Sequence, residues 1–426
     1  MKGKKILTLL CCLSVAGSVG ACKGGSGEQS SSQGGGQSGA SDTEKVLQLA
    51  EEKEWVDITT YNAASLPAYM QPIWYTREVY DETVVFVGEN STANLLYQPK
   101  GKVTVRNYQL NVTYEEGRDY TIEGKTITRV EGGQMPYFEV DDYYLKTAGS
   151  VSIGVHAGKC EFDFEENRYL YYGEGTSLTK NHISISYKTD DMWTGVMPDG
   201  KTNCTEKFMN KVKTEKKASI AFYGDSITVG CNASGTSYGG NVNPYLPSWS
   251  ELLADWFAYK YGAEITLTNK AVGGWQVKDG FSNFNKDIQP IAAQTDCLVL
   301  AFGMNDSWTK LEDYRDMTNE MVSRYLSENP NGTVILVSPM NPNTQSTWVG
   351  NQAKFEAELD AIAERYDSVA VAPVNTMFTE FENMGKRTRD WLANNINHPN
   401  DFGVRAYAQI ILKTLAGDEF FKEIYK

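Results

Sequence analysis

From residue 216 onward the chain alternates between two kinds of segment. Short apolar runs, SIAFYG, ITLTNKAV, CLVLAFG, TVILVSPM and VAVAPV, are separated by longer stretches with helical periodicity near 248–261, 311–328 and 351–366. Brief apolar, β-branched runs without polar alternation read as strands buried on both faces, and the helices between them are the crossovers that parallel strands require. In LEDYRDMTNEMVSRYLSE, Leu311, Tyr314, Met317, Met321 and Tyr325 fall near one helical face. The pattern predicts an α/β domain over 216–426, a parallel sheet with helices on both sides. Ligand sites in such sheets form outside the carboxyl ends of the strands. The residues that end each run are therefore the ones to read for chemistry.

The first half has a different rhythm. Between about Trp55 and Tyr187 lie VVFVG, KVTVRNYQLNVTY, YTIEG, TITRV, SVSIGVHAG and ISISYK, rich in Val, Ile, Thr and Tyr and punctuated by Gly and Asp/Asn turns. This spacing predicts an all-β, antiparallel sandwich or jelly-roll-like domain over 45–215, with a short helix over 45–54 at its start. No internal repeat is visible. A Lys-rich stretch over 205–217 leads into the α/β half.

The N-terminus reads as a targeting segment. Lys2, Lys4 and Lys5 precede a short apolar region from Ile6 to Val15, too short to span a bilayer, and then Val19-Gly20-Ala21-Cys22. Small residues before a cysteine at this distance resemble the lipobox of bacterial lipoproteins. That resemblance implies cleavage after residue 21, acylation of Cys22, membrane attachment through that lipid and an extracytoplasmic location at the cell envelope. Residues 22–44 are mostly Gly, Ser and Gln and cannot bury a core, so they form a flexible tether. Loss of 1–21 removes three lysines and no acid, taking the formal net charge from -14 to -17. So acidic a chain is a poor partner for nucleic acid. Cys160, Cys204, Cys231 and Cys297 remain, with no spacing that favours one pairing; Cys297, opening an apolar run, reads as a buried thiol. With three histidines, no HExxH and no CxxC, no metal site is expected.

Four strand-end blocks carry the chemistry. Gly224-Asp225-Ser226-Ile227-Thr228 follows SIAFYG. A serine at such a turn is held at the rim of the sheet with its own N–H free to point into a site. Asn269-Lys270-Ala271-Val272-Gly273-Gly274 ends the second run, where a glycine lets backbone approach a ligand. Gly303-Met304-Asn305-Asp306 ends CLVLAFG and offers an amide donor. Asn395-Ile396-Asn397-His398-Pro399-Asn400 precedes a helical pattern over 402–415. His156 and His182 lie in the β-rich half, so His398 is the one imidazole in the α/β half, and a serine nucleophile needs a base.

As a set, these blocks resemble the SGNH/GDSL hydrolases, over roughly residues 216–415. The resemblance implies a three-layer, flavodoxin-like domain with Ser226 as nucleophile and His398 as general base. The N–H groups of Ser226 and Gly274 and the Asn305 side-chain amide would form the oxyanion hole, with no cofactor. One position departs from the family. An aspartate usually stands three residues before the histidine, and here it is Asn395, whose side-chain oxygen can still accept the Nδ1–H and orient the ring but carries no charge. Three resolutions follow: a backbone carbonyl orients His398, which is the preferred expectation; Asp390 or Asp401 supplies the acid; or the domain binds without hydrolysing. Export, a tether and an adjoining β domain resemble bacterial carbohydrate esterases, which implies an acylated glycan as substrate. Trp275 and Trp308, just after the oxyanion blocks, are placed to stack on a sugar ring. A lipid acylhydrolase or acyltransferase and a non-catalytic glycan-binding lipoprotein are the alternatives. Oligomeric state is not legible.

Overall fold

The computed structural model describes residues 55–156 and 158–420. The expected signal segment, tether, Cys22 and the helix at 45–54 lie outside the described residues.

Among the described residues the first half contains ten strands: β1 (Glu78–Val85), β2 (Thr92–Asn94), β3 (Pro99–Asn107), β4 (Thr113–Tyr114), β5 (Tyr120–Glu123), β6 (Thr126–Arg129), β7 (Tyr144–Leu145), β8 (Ser152–Gly154), β9 (Tyr169–Tyr171) and β10 (His182–Thr189). They pair antiparallel throughout. One sheet has the order β1-β10-β3-β4, and two three-stranded sheets run β2-β6-β5 and β7-β9-β8.

The second half is the expected parallel sheet. The five apolar runs become β11 (Lys217–Gly224), β12 (Glu264–Asn269), β13 (Cys297–Ala301), β14 (Thr333–Val337) and β15 (Val369–Ala372), in the order β12-β11-β13-β14-β15. This is the doubly wound, flavodoxin-like arrangement, whose direction reverses between β11 and β13. The main helices span Trp249–Tyr261, Val277–Asp287, Leu311–Glu328, Phe355–Ala363, Val374–Asn383 and Asp401–Ala416. Local chemistry sets their ends. Ser248 and Glu251 form a reciprocal capping box, and Gly262 takes the left-handed φ that stops the same helix.

The helix Asp401–Ala416 is buried on every side. Its apolar residues join the sheet side of the core, while Asp401, Arg405, Gln409 and Lys413 recur every four residues along one stripe. In sequence such a stripe reads as a solvent face. In the fold much of it docks the β-rich half. Arg405 donates to the Tyr80 and Asp81 carbonyls, both at 2.8 Å, and Gln409 donates to the Tyr69 and Gln71 carbonyls at 3.0 and 2.8 Å. One hydrophobic core runs through both halves, from Phe86, Tyr97 and Ile185 to Phe378, Trp391 and Leu412. A fully buried ion pair, Lys386 Nζ to Glu82 at 2.8 Å, crosses the same boundary. The sequence reading treats the halves as separate domains; in the structure they share a core and a polar seam.

Candidate active site

The site lies at the carboxyl ends of β11, β12 and β13, at the point where strand order reverses. After β11 the chain turns sharply into the short helix Ser226–Val229, with Asp225 as its N-cap accepting the Ile227 N–H at 3.0 Å. The turn needs Gly224, where a Cβ would run into the Ala301 carbonyl and the Thr228 side chain. Ser226 therefore sits at a helix start, buried. Its Oγ is 2.8 Å from His398 Nε2. Burial pushes the Asp225 carboxyl up to about 7.

The second block approaches from β12. Asn269 ties it to the first by donating to the Thr228 carbonyl at 2.7 Å. A turn then closes from Trp275 N–H to the Val272 carbonyl, with Gly274 at φ +79° in its third position, which favours glycine. Gly273 approaches the nucleophile, since a Cβ built on it would lie 3.9 Å from Ser226 Cβ. Both glycines are exposed. From β13, Asn305 spends one amide hydrogen on the Trp275 carbonyl at 3.0 Å and accepts Gln276 on its own carbonyl at 2.7 Å. Asp306 accepts the Val277 N–H and the Thr309 hydroxyl, and burial raises its carboxyl to about 6. The three blocks are knitted by these bonds into one preorganised rim.

His398 lies on a loop organised by Asn394, whose side-chain oxygen accepts the N–H groups of Ile396, Asn397 and His398 at 3.1, 3.0 and 2.9 Å. The imidazole Nδ1 faces two oxygens: Asn232 Oδ1 at 2.7 Å and Glu174 Oε2 at 3.2 Å. Glu174 belongs to the β-rich half. Burial alone would raise its carboxyl. The hydrogen bond and charge of His398, with the amides of Asn394 and Asn232, hold it below the ordinary glutamate range.

Asn395, Asp390 and Asp401, the expected His-orienting candidates, lie elsewhere, and among the described residues no backbone carbonyl takes their place at Nδ1. Asn395, at φ +68°, turns away from the imidazole; its side-chain oxygen accepts Tyr143 and Asn343, and its amide donates to the Tyr171 carbonyl. Asp390 accepts the N–H groups of Val85 and Arg387, each at 2.9 Å. Asp401 accepts the Ser234 N–H at 2.8 Å. Each is occupied in holding the two halves or the adjoining loops together. Sequence reasoning missed Glu174 and Asn232. Nothing local marks Glu174, which lies more than fifty residues before Ser226 in the β-rich half. Asn232 had one faint signal, six residues after Ser226 in a small-residue loop, where an asparagine tolerates the left-handed φ of +68° that it adopts.

The remaining expected positions separate by exposure. Trp308 is 79% exposed, whereas Trp275 is partly buried and packs edge-on against Tyr223 at 5.9 Å. His182 is buried, with its Nδ1 3.2 Å from the Asn400 amide, and burial lowers it to about 4. Cys160, Cys204 and Cys297 form no disulfide, and Cys297 is buried.

A serine hydroxyl 2.8 Å from an imidazole, at the start of a short helix on a flavodoxin-like α/β fold, is an arrangement that can carry out nucleophile–base chemistry. Residues 222–406 match the model of the GDSL-like Lipase/Acylhydrolase family. No curated protein matches the sequence. Among solved structures, the chain is similar to a two-domain esterase (CEX) active on acetylated mannans, with 22% identity, TM-score 0.41, and coverage of 53% of this chain and 54% of that one. It thus spans about half the length of that protein. It is also similar to the acetylxylan esterase Axe2 from Geobacillus stearothermophilus, with 21% identity, TM-score 0.38, and coverage of 47% and 94%. A third is LAE5, an alpha/beta hydrolase enzyme from the metagenome of Lake Arreo, Spain, with 23% identity, TM-score 0.37, and coverage of 46% and 93%.

Proposed function

We propose that this chain is a serine esterase that removes acyl groups, acetyl above all, from a glycan outside the cytoplasm, held at the cell envelope by a lipid on Cys22. The observation that carries the chemistry is the 2.8 Å contact between Ser226 Oγ and His398 Nε2. His398 takes the hydroxyl proton on Nε2 as Ser226 Oγ attacks the ester carbonyl. The Ser226 N–H, a glycine N–H at 273–274 and the second amide hydrogen of Asn305 face the oxygen that becomes negative, and each such donor contributes on the order of 10²–10³ in rate. His398 then returns the proton to the leaving sugar hydroxyl, and water, activated by the same imidazole, hydrolyses the acyl-serine. No cofactor enters the scheme.

A glycan substrate is supported by the exposed Trp308 indole on the loop that follows Asn305, where a flat ring can lie against a sugar. The location rests on the basic, apolar and small-residue pattern of residues 2–22. The test is acetate release from acetylated xylan and mannan oligosaccharides. Ser226-dependent release supports the proposal. Hydrolysis confined to long-chain lipid esters, or no release from any acylated glycan, overturns the substrate class.

A further inference from the structure

Glu174 stands between Gly173 and Gly175, past β9 and before the short helix Thr176–Thr179. The loop is shaped to present it. Gly175 has φ +66°, and a Cβ on Gly173 would come within 2.8 Å of the Ser177 side chain. The Ser177 hydroxyl donates to the Glu174 carbonyl at 2.7 Å. The same segment packs on the α/β half, since a Cβ on Gly240 would lie 2.9 Å from Thr176. Both carboxylate oxygens are engaged there. Oε2 is 3.2 Å from His398 Nδ1, and Oε1 accepts the Asn394 amide at 3.2 Å. Asn394 is also the residue that ties down the histidine loop, so the carboxylate and the imidazole are positioned by one side chain.

We propose that Glu174 is the carboxylate that stabilises the His398 imidazolium, supplied by the β-rich half in place of the acid missing at position 395. This rests on the Ser226–His398 reading above. The two oxygens at Nδ1 divide the work. Asn232 Oδ1, at 2.7 Å and neutral, keeps the proton on Nδ1 and so leaves Nε2 free to act as base. Glu174 adds the negative charge. When the Ser226 proton moves to Nε2, the Nδ1 proton stays on the ring, shared toward both oxygens, and Glu174 remains ionised opposite a transient cation. Because Asn232 already sets the tautomer, loss of the charge alone costs less than the ~10⁴ seen when the amide of a serine-protease aspartate imposes the wrong one. Asp225, next to Ser226, also interacts electrostatically with His398. It is unchanged in the variants below.

The experiment compares full-length wild type, Glu174→Gln, the double variant Glu174→Gln/Asn232→Asp, Ser226→Ala and His398→Ala on a small acetyl ester from pH 5 to 9. Glu174→Gln is expected to lower kcat on the order of 10- to 100-fold with little change in KM, at unchanged Tm. Its kcat/KM profile should have its acid limb displaced toward lower pH, because the negative charge that favours the imidazolium is gone. The double variant, which returns one carboxylate to Nδ1, should recover most of the loss. Wild-type turnover and pH profile in Glu174→Gln, while Ser226→Ala and His398→Ala are inactive, overturns the proposal and leaves the Ser–His reading standing. A Glu174→Gln loss that follows Tm, with the pH profile unmoved, also overturns it and makes Glu174 a docking residue. Activity retained in Ser226→Ala removes both readings.

Discussion

The side-chain oxygen of Asn395 accepts the Tyr143 hydroxyl at 2.7 Å, so the residue three before the site histidine serves the seam between the halves and not the imidazole. Its amide donates to the Tyr171 carbonyl across the same seam, Asn343 of its own half donates to both its oxygens, and its positive φ is one that alanine resists. Asn395→Ala should therefore lose about 3 kcal/mol of stability, through unpaired buried groups and backbone strain. The activity of the folded fraction should stay within about threefold of wild type, as for a substitution that leaves the reacting groups in place. Urea denaturation beside active-site-titrated turnover separates the two effects. A turnover loss comparable to that of His398→Ala would return Asn395 to the chemistry.

Asn305 is expected to act only as the transition state forms. Asn305→Ala should lower kcat by about 10²–10³ and leave KM close to wild type, the pattern for removal of one oxyanion donor. The amide also holds the Trp275 carbonyl, so Tm is measured alongside. A rise in KM with kcat unchanged would make Asn305 a substrate-binding group instead.

The buried Lys386–Glu82 pair predicts a strong dependence of one half on the other. Lys386 also donates to the Thr83 carbonyl at 2.6 Å, and Glu82 accepts Leu96 N–H and the Tyr187 hydroxyl. Lys386→Met leaves a carboxylate buried without its cation and should cost about 3–5 kcal/mol. The urea midpoint should fall with the two halves still unfolding together. Two separate transitions in the wild type would show instead that the halves are thermodynamically independent.

Asp401 gives a pH signature to stability. Burial pushes its carboxyl up to about 6, and its Oδ2 has no hydrogen-bond partner. The folded state keeps this proton over a range where the unfolded chain has released it. Its contribution is therefore full below about pH 4 and is lost as pH rises through about 6. Asp401→Asn keeps an oxygen for the Ser234 N–H and removes the titration. The variant should flatten the fall in Tm between pH 4 and 7, gaining roughly 2–3 kcal/mol over wild type at pH 7 relative to pH 4. Parallel Tm–pH curves for the two proteins would contradict this.

What was legible in the sequence was what is written locally. Apolar runs marked all five parallel strands: β11, β13, β14 and β15 are largely buried, while the edge strand β12, whose ITLT alternates, stays partly exposed. The structure places Ser226 and His398, from the first and last strand-end blocks, within hydrogen-bond distance. The groups at His398 Nδ1 were not legible. Glu174 is brought there by packing of one half on the other, and the stripe Asp401, Arg405, Gln409 and Lys413 gives no hint that much of it faces protein and not water. Asn395 misled for a related reason: its spacing from His398 suggested contact, but a left-handed φ turns its side chain the other way.

The most direct test of the central claim is covalent labelling. Full-length protein is treated with a fluorophosphonate, digested and mapped by mass spectrometry, while hydrolysis of a small acetyl ester is followed in the same sample. The account predicts one phosphonyl adduct, on Ser226, appearing in step with loss of activity, and neither adduct nor activity in Ser226→Ala or His398→Ala. Ester hydrolysis that persists in Ser226→Ala, or an adduct that forms elsewhere as activity disappears, would contradict it.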